Sequence, residues 1–181
     1  MSDTIFAVSS GALPAGIAVL RISGPGALAA AQGLAGSLPE PRRAALRRLR
    51  DPDGGDALDR ALVLVFPGPG SVTGEDLVEL HLHGARAVAA DVGAALARMP
   101  GVRAAEAGEF TRRALLNGRI DLSEAEGLGD LLAAETSAQR RAALAASEGG
   151  IRRAVEGWTD RLLALSARLE AALDHADEED V

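Results

Sequence analysis

The chain has 181 residues, 48% of them hydrophobic, and a formal net charge of −7. That is enough for one good-sized domain or two small ones with a real core, and the acidic balance argues against charge-driven nucleic-acid binding by the chain as a whole. Lysine and cysteine are absent, which excludes a Schiff-base lysine, a lysine-bearing phosphate loop, a thiol nucleophile, disulfides and Cys-ligated zinc.

In chain order, residues 4–9 and 17–22 are short, β-rich apolar runs, with a turn or loop at 11–16 between them. Ser23-Gly24-Pro25-Gly26 punctuates the sequence, and residues 27–34 supply helix formers behind Pro25. Residues 39–59 read as loop-rich. Arg42, Arg43, Arg47, Arg48 and Arg50 in this stretch read as a solvated helix and loop, with a phosphate-contacting patch as the alternative. Residues 60–66 form a strand, and Pro67-Gly68-Pro69-Gly70-Ser71 a kinked loop. Residues 77–83 alternate as a strand does, and Gly84 breaks them. Residues 87–99 have helical composition, 102–105 a short strand pattern, and 109–117 a helix with Gly118 placed at its C′ position.

After Ile120 the strand patterns stop. Ser123 and Glu126 fit a capping box, and Thr136 and Gln139 repeat it. Leu162, Leu165, Leu169 and Leu173 recur at helical spacing as one apolar stripe that needs a partner. The fold class is therefore α+β, a small mixed sheet with helices over residues 1–120, followed by an all-α segment over 121–181. Asp3 stands where a signal peptide needs positive charge, and no apolar run is long enough to span a membrane. A cytoplasmic protein without membrane attachment is expected.

Candidate chemistry concentrates on residues 79–83. On a strand, Glu79, His81 and His83 share one face while Leu80 and Leu82 take the other. Two histidines at that spacing beside a carboxylate could reach one metal ion, a metal-dependent hydrolase being the reading that follows. The remaining histidine, His175, is far along the chain. Glu79 alone could accept paired N–H bonds from a heterocycle such as a pterin or guanine; a salt-bridged glutamate is the simpler reading of the pattern. Arg21 and Arg119 lie where loops leave secondary structure, a usual place for ligand contacts. An arginine there could hold a carboxylate or a ring carbonyl, and Arg119 could equally pair with Asp121 or Glu124. The loop 67–74 lacks a phosphate loop's lysine, and its prolines remove amide donors. No serine sits in a nucleophile elbow.

Several motifs occur in a fixed order. They are Asp3-Thr4-Ile5-Phe6-Ala7, Val19-Leu20-Arg21-Ile22-Ser23-Gly24-Pro25, Phe66-Pro67-Gly68-Pro69, Thr73-Gly74-Glu75-Asp76-Leu77-Val78-Glu79-Leu80-His81 and His83-Gly84. Gly108-Glu109-Phe110-Thr111 then leads through Leu116-Asn117-Gly118-Arg119-Ile120-Asp121-Leu122 to Ser123-Glu124-Ala125-Glu126. In this order they resemble the N-terminal part of the tRNA-modification GTPase family MnmE, also called TrmE. The resemblance runs to the acidic end Asp177-Glu178-Glu179-Asp180.

The resemblance implies a tetrahydrofolate-binding domain similar to that of the glycine-cleavage T protein, then part of a helical domain. It implies a homodimer through the N-terminal domain, with the flavoprotein MnmG and tRNA as partners in modifying the wobble uridine (U34). The implied cofactor is 5-formyl- or 5,10-methylene-tetrahydrofolate, contacted by Arg21, Glu79 and Arg119. No catalytic residue is implied in this chain, and a folate-free dimerisation scaffold is the bland alternative. The chain is expected to stop before the GTPase domain, to which GTP, magnesium and potassium would belong, so it would not hydrolyse GTP alone. Three departures from the family pattern stand out. Gly11 to Gly16 replaces a Pro-Pro-Gly-Arg-Gly-Gly-type loop, Arg119 replaces a common lysine, and Gly84-Ala85 replaces a glycine pair.

Overall fold

The computed structural model describes residues 3–176, and the chain divides after Arg119 into two compact units. The acidic end 177–180 lies outside the described residues.

The first unit holds one six-stranded sheet. Its strands are β1 (Thr4–Val8), β2 (Ile17–Ser23), β3 (Ala45–Arg50), β4 (Ala57–Phe66), β5 (Leu77–His83) and β6 (Val102–Ala104), ordered β3-β4-β5-β2-β1-β6. All neighbours pair antiparallel except β1 with β6, which run parallel. Helices α1 (Ala27–Ala35) and α2 (Arg86–Ala97) contribute to the same core. On α1, Ala27, Ala30, Ala31, Leu34 and Ala35 are buried, the i, i+3, i+4, i+7, i+8 spacing of a core-facing stripe. They meet alternate strand residues, among them Leu20, Ile22, Val63, Leu80 and Leu82. The small alanines let α1 approach the sheet closely, and the core is aliphatic apart from Phe6.

The pleat sends the intervening residues to the opposite face. Arg21 pairs in register with Glu79, and Val19 with His81. On β4, Leu64 lies opposite Glu79 and Leu62 opposite His81. The expected sharing of a face by Glu79 and His81, with Leu80 and Leu82 buried behind them, is observed.

One element differs from the sequence reading. Part of the arginine-rich stretch 39–59 is not loop or helix: β3 occupies Ala45–Arg50, and β4 begins at Ala57. Leu49 is fully buried while Arg48 and Arg50 on either side are exposed, so the segment follows strand alternation through a single core residue. It is a terminal strand of the sheet, where arginines discourage further edge pairing.

At the end of β5, Gly84 accepts a hydrogen bond from Ala15 N through its carbonyl at 2.9 Å. A Cβ at position 84 would run into the Ala15 carbonyl, so only glycine lets the 11–16 loop lie against the strand end. Gly84→Ala is expected to destabilise the chain by about 2 kcal/mol, as overpacking against backbone does. A fall in the urea midpoint would be the readout, and an unchanged midpoint would contradict the close approach.

Helix α3 (Glu109–Leu116) closes the unit, with Gly118 at φ 66° just past its C-cap Asn117, as expected. The second unit contains α4 (Leu122–Ala133), α5 (Ser137–Ser147) and α6 (Gly150–Ala176). The α4 capping box falls two residues earlier than Ser123 and Glu126. Asp121 accepts from Glu124 N, and Glu124 accepts from Asp121 N. Ser123 instead donates to the Asp121 carboxylate at 2.7 Å. Aspartate caps as well as serine, and Asp121 has a glutamate three residues on to complete the box. Thr136 and Gln139 form the expected box at α5. On α6 the stripe of Leu162, Leu165, Leu169 and Leu173 is exposed. No helix among the described residues is long and apolar enough to cross a membrane.

Candidate functional site

The face of the sheet opposite α1 carries a cleft of about 160 Å³ in the first unit. Its floor comes from β2 and β5, which bring Arg21 and Glu79 side by side although they are 58 residues apart. Phe66 and Leu77, at facing ends of β4 and β5, add apolar surface, and loop residues Gly70, Ser71 and Val72 with Arg42 complete the lining.

Arg21 Nε donates to Glu79 Oε1 at 2.8 Å, and His81 Nε2 lies 3.2 Å from Glu79 Oε2. The Glu79 side chain is 16% exposed. Partial burial pushes its carboxyl upward, but hydrogen bonds from His81 and Arg21 outweigh this and hold it below the usual value. Glu79 is therefore an ionised acceptor at neutral pH. Each of its oxygens has one protein partner of the roughly two it can accept.

Arg21 sits within β2 rather than at a strand exit, so its position comes from the sheet register. Arg119 is exposed and is not part of the cleft lining. Its stem lies against Gly74, where an added Cβ would come 3.2 Å from Arg119 Cγ. Its backbone N–H closes the end of α3 on Ala114 O at 2.8 Å. The structure thus joins two of the three candidate residues in one cleft and places the third on the loop beside it. Asp121 and Glu124, the alternative partners for Arg119, face Arg152 at 3.7 and 3.0 Å.

The metal reading of Glu79, His81 and His83 is corrected. His83 turns to Asp59, with Nδ1 2.6 Å from Oδ1 and its backbone N–H on Oδ2 at 2.8 Å. His81 turns to Glu79, so the two imidazoles serve separate carboxylates. No group of three ligating residues able to hold a metal ion occurs among the described residues.

The loop 67–76 that walls the cleft is fastened from behind. Gly68 N donates to Asp76 Oδ1 at 2.9 Å, and Asn117 Nδ2 to Thr73 O at 2.7 Å. Ser23 Oγ bridges Thr73 Oγ1 and Glu75 Oε2 at 2.7 and 2.9 Å. Arg113, fully buried, reaches both Glu75 oxygens at 3.1 Å. Ser23, Thr73 and Glu75 are thereby a support for the loop and not part of the cleft surface.

Sequence reasoning did not single out Phe66, Val72 or Arg42 as lining. Phe66 carried a faint signal, as an aromatic ending an apolar run directly before Pro-Gly-Pro-Gly. The Arg42 position depends on a local conformation that no pattern announces.

Two family models match the chain. One, described as the GTP-binding protein TrmE N-terminus, covers residues 4–119. The other, the MnmE helical domain, covers residues 122–181. The chain belongs to the MnmE family. Its similarity to curated relatives spans its whole length. It is 65% identical over 181 residues to the tRNA modification GTPase MnmE of Novosphingobium aromaticivorans, covering 100% of this chain and 41% of that protein. Identity is also 65% over 182 residues to the MnmE of Rhizorhabdus wittichii, covering 99% of this chain and 41% of the relative. Against the MnmE of Erythrobacter litoralis it is 60% over 179 residues, covering 99% and 42%. The chain thus spans about two fifths of the length of these relatives. The matched models are the N-terminal and helical regions of the family.

Proposed function

We propose that this chain is the folate-binding, homodimerising N-terminal module of a tRNA wobble-uridine modification GTPase. In that reading it holds a 5-formyl- or 5,10-methylene-tetrahydrofolate for the parent protein, which acts with the flavoprotein MnmG on tRNA in the cytoplasm. One observation carries the reading: an ionised, largely buried carboxylate, Glu79, lies in a cleft beside Arg21 within the region matched to the TrmE N-terminus.

The donor set suits the cofactor. A pterin presents an amino group beside a ring N–H, and the two Glu79 oxygens have acceptor capacity left for such an edge. Phe66, Leu77 and Val72 supply apolar surface for a flat ring. Arg21 orients the carboxylate by holding one oxygen, and His81 does so by holding the other. Arg119 joins the set through the family resemblance. The bound folate would supply a one-carbon unit, and the protein's part is to bind and orient it.

Titration calorimetry of the folded chain with 5-formyltetrahydrofolate tests this. One ligand per chain is expected, with Glu79→Ala weakening binding about thirtyfold, as expected for loss of a charged hydrogen-bond acceptor. No heat from folded protein, or equal affinity in the variant, would overturn the assignment. Light scattering run alongside separates the scaffold alternative, whose signature is a dimer with no folate affinity.

A further inference from the structure

The charges lining the cleft do not balance. Arg21 and Arg42 face a single carboxylate, Glu79. Arg21 is already paired to Glu79, whereas Arg42 has no carboxylate partner among the described residues. The adjacent Arg43 does have one, Glu40 at 2.8 Å. In a chain whose net charge is −7, a local excess of positive charge at a cleft selects for an anion.

Arg42 is also held in an unusual conformation. Its φ is 62°, the only positive φ at a non-glycine residue among the described residues. The left-handed region costs an arginine on the order of 1–2 kcal/mol, and such strain persists where surrounding contacts fix it. Here the backbone N–H donates to Val65 O at 2.8 Å, and Nη2 donates to Gly70 O at 2.6 Å. The guanidinium carbon lies 5.8 Å from the Phe66 ring centroid, within range of a cation–π contact. The side chain is thus pre-organised although it is exposed. Of its five N–H donors, one is engaged by Gly70, and the others are available to a ligand.

Cleft size gives this arginine a task. About 160 Å³ is less than the roughly 300 Å³ at the lower end of sites that enclose a drug-sized ligand. A folate seated by its ring on Glu79 would leave the rest of the molecule outside the cleft, and that remainder carries the carboxylates.

We propose that Arg42 is a specificity-determining residue of the cleft, which takes a carboxylate of the ligand through its guanidinium fork. The proposal rests on the folate reading above and adds to it a requirement for an anionic tail. Arginine suits this because its fork matches both carboxylate oxygens, and because resting on an aromatic ring limits the freedom it would lose on binding.

The test compares 5-formyltetrahydrofolate with its glutamate diamide, which keeps the tail's size but has no carboxylate. Both are titrated into the wild-type chain, Arg42→Gln and Arg42→Lys, with thermal unfolding as the check on folding. Wild type is expected to prefer the acid about tenfold, the worth of one exposed charge-assisted pair. Arg42→Gln should abolish that preference by weakening the acid alone. Arg42→Lys, which keeps the charge without the fork, should retain about a threefold preference and serves as the test should the glutamine variant not fold. If Arg42 acts only by clipping Gly70, both ligands weaken alike in Arg42→Gln, and the proposal falls while the folate reading stands. Equal wild-type affinity for acid and diamide has the same consequence. Wild type binding neither compound overturns both.

Discussion

Arg113→Met is expected to lower the unfolding free energy by about 3–5 kcal/mol, the range for removing one partner from a buried ion network. The Arg113 side chain is fully buried. Its Nη1 donates to Asp3 O at 3.0 Å and to both Glu75 oxygens at 3.1 Å. Its Nη2 donates to Asp3 Oδ1 at 3.0 Å and Glu109 Oε1 at 3.1 Å. Burial opposes the cation, but Glu75 and Glu109 outweigh that and raise its pKa above the ordinary value. Nε has no partner, so desolvating the group is only partly offset. The network joins the start of β1, the loop walling the cleft and α3, three segments that share no secondary-structure hydrogen bonds. Methionine fills much of the volume, so the loss would come from carboxylates left without their cation. Arg113→Lys should recover less than half, because a single ammonium nitrogen cannot reach both partner sets that Arg113 addresses through Nη1 and Nη2. Urea unfolding measures both variants; a loss under about 1 kcal/mol with an unchanged m-value would show that the network is not a principal support.

Much of this architecture was legible because alternation and helical spacing are local. β2 and β5 were readable to within a residue, since each places buried apolar side chains at every second position. β3 was not, because its only fully buried side chain is Leu49 and its pairing with β4 is what makes it a strand. The α4 cap slipped because Asp121 and Ser123 are both competent caps two residues apart, and the choice depends on which one Glu124 can answer. At the site, residue identity was legible and adjacency was not. Glu79 and Arg21 could each be named from its surroundings, yet their ion pair follows from the β2–β5 register. The Asp3–Arg113 contact joins residues 110 apart, and nothing in either neighbourhood points to the other. The arginine cluster looked uniform in sequence; the fold separates Arg42 at the cleft from Arg48 and Arg50 on a sheet edge.

Acid should expose the same network through Glu109. Its side chain is 1% exposed and accepts from Arg103 Nη1 and Nη2 at 2.8 and 2.6 Å, from Arg113, and from Glu106 N at 2.9 Å. The paired hydrogen bonds from Arg103 are the main cause that lowers its pKa from 4.5 to about 2, against the opposing effect of burial. Its place in the first turn of α3 favours the anion further. A carboxylate whose pKa is lower folded than unfolded gives stability that is fully present above the unfolded value and is lost as pH falls through the folded one. The window is therefore pH 4.5 down to about 2, and the contribution is on the order of 3 kcal/mol. Urea midpoints for the wild type should fall steeply across that window. Glu109→Gln should start lower at pH 7 and show a shallower fall, so that the two curves converge near pH 2. Parallel curves would mean that other carboxylates set the acid limit. Asp3, whose pKa is also lowered chiefly by its hydrogen bond from Arg103, gives a slope of the same sign, so the variant curve should not become flat. Because Arg113 and Glu109 share one hydrogen bond, the Arg113→Met, Glu109→Gln double variant should lose less than the sum of the singles. That shortfall separates a coupled network from two independent buried groups.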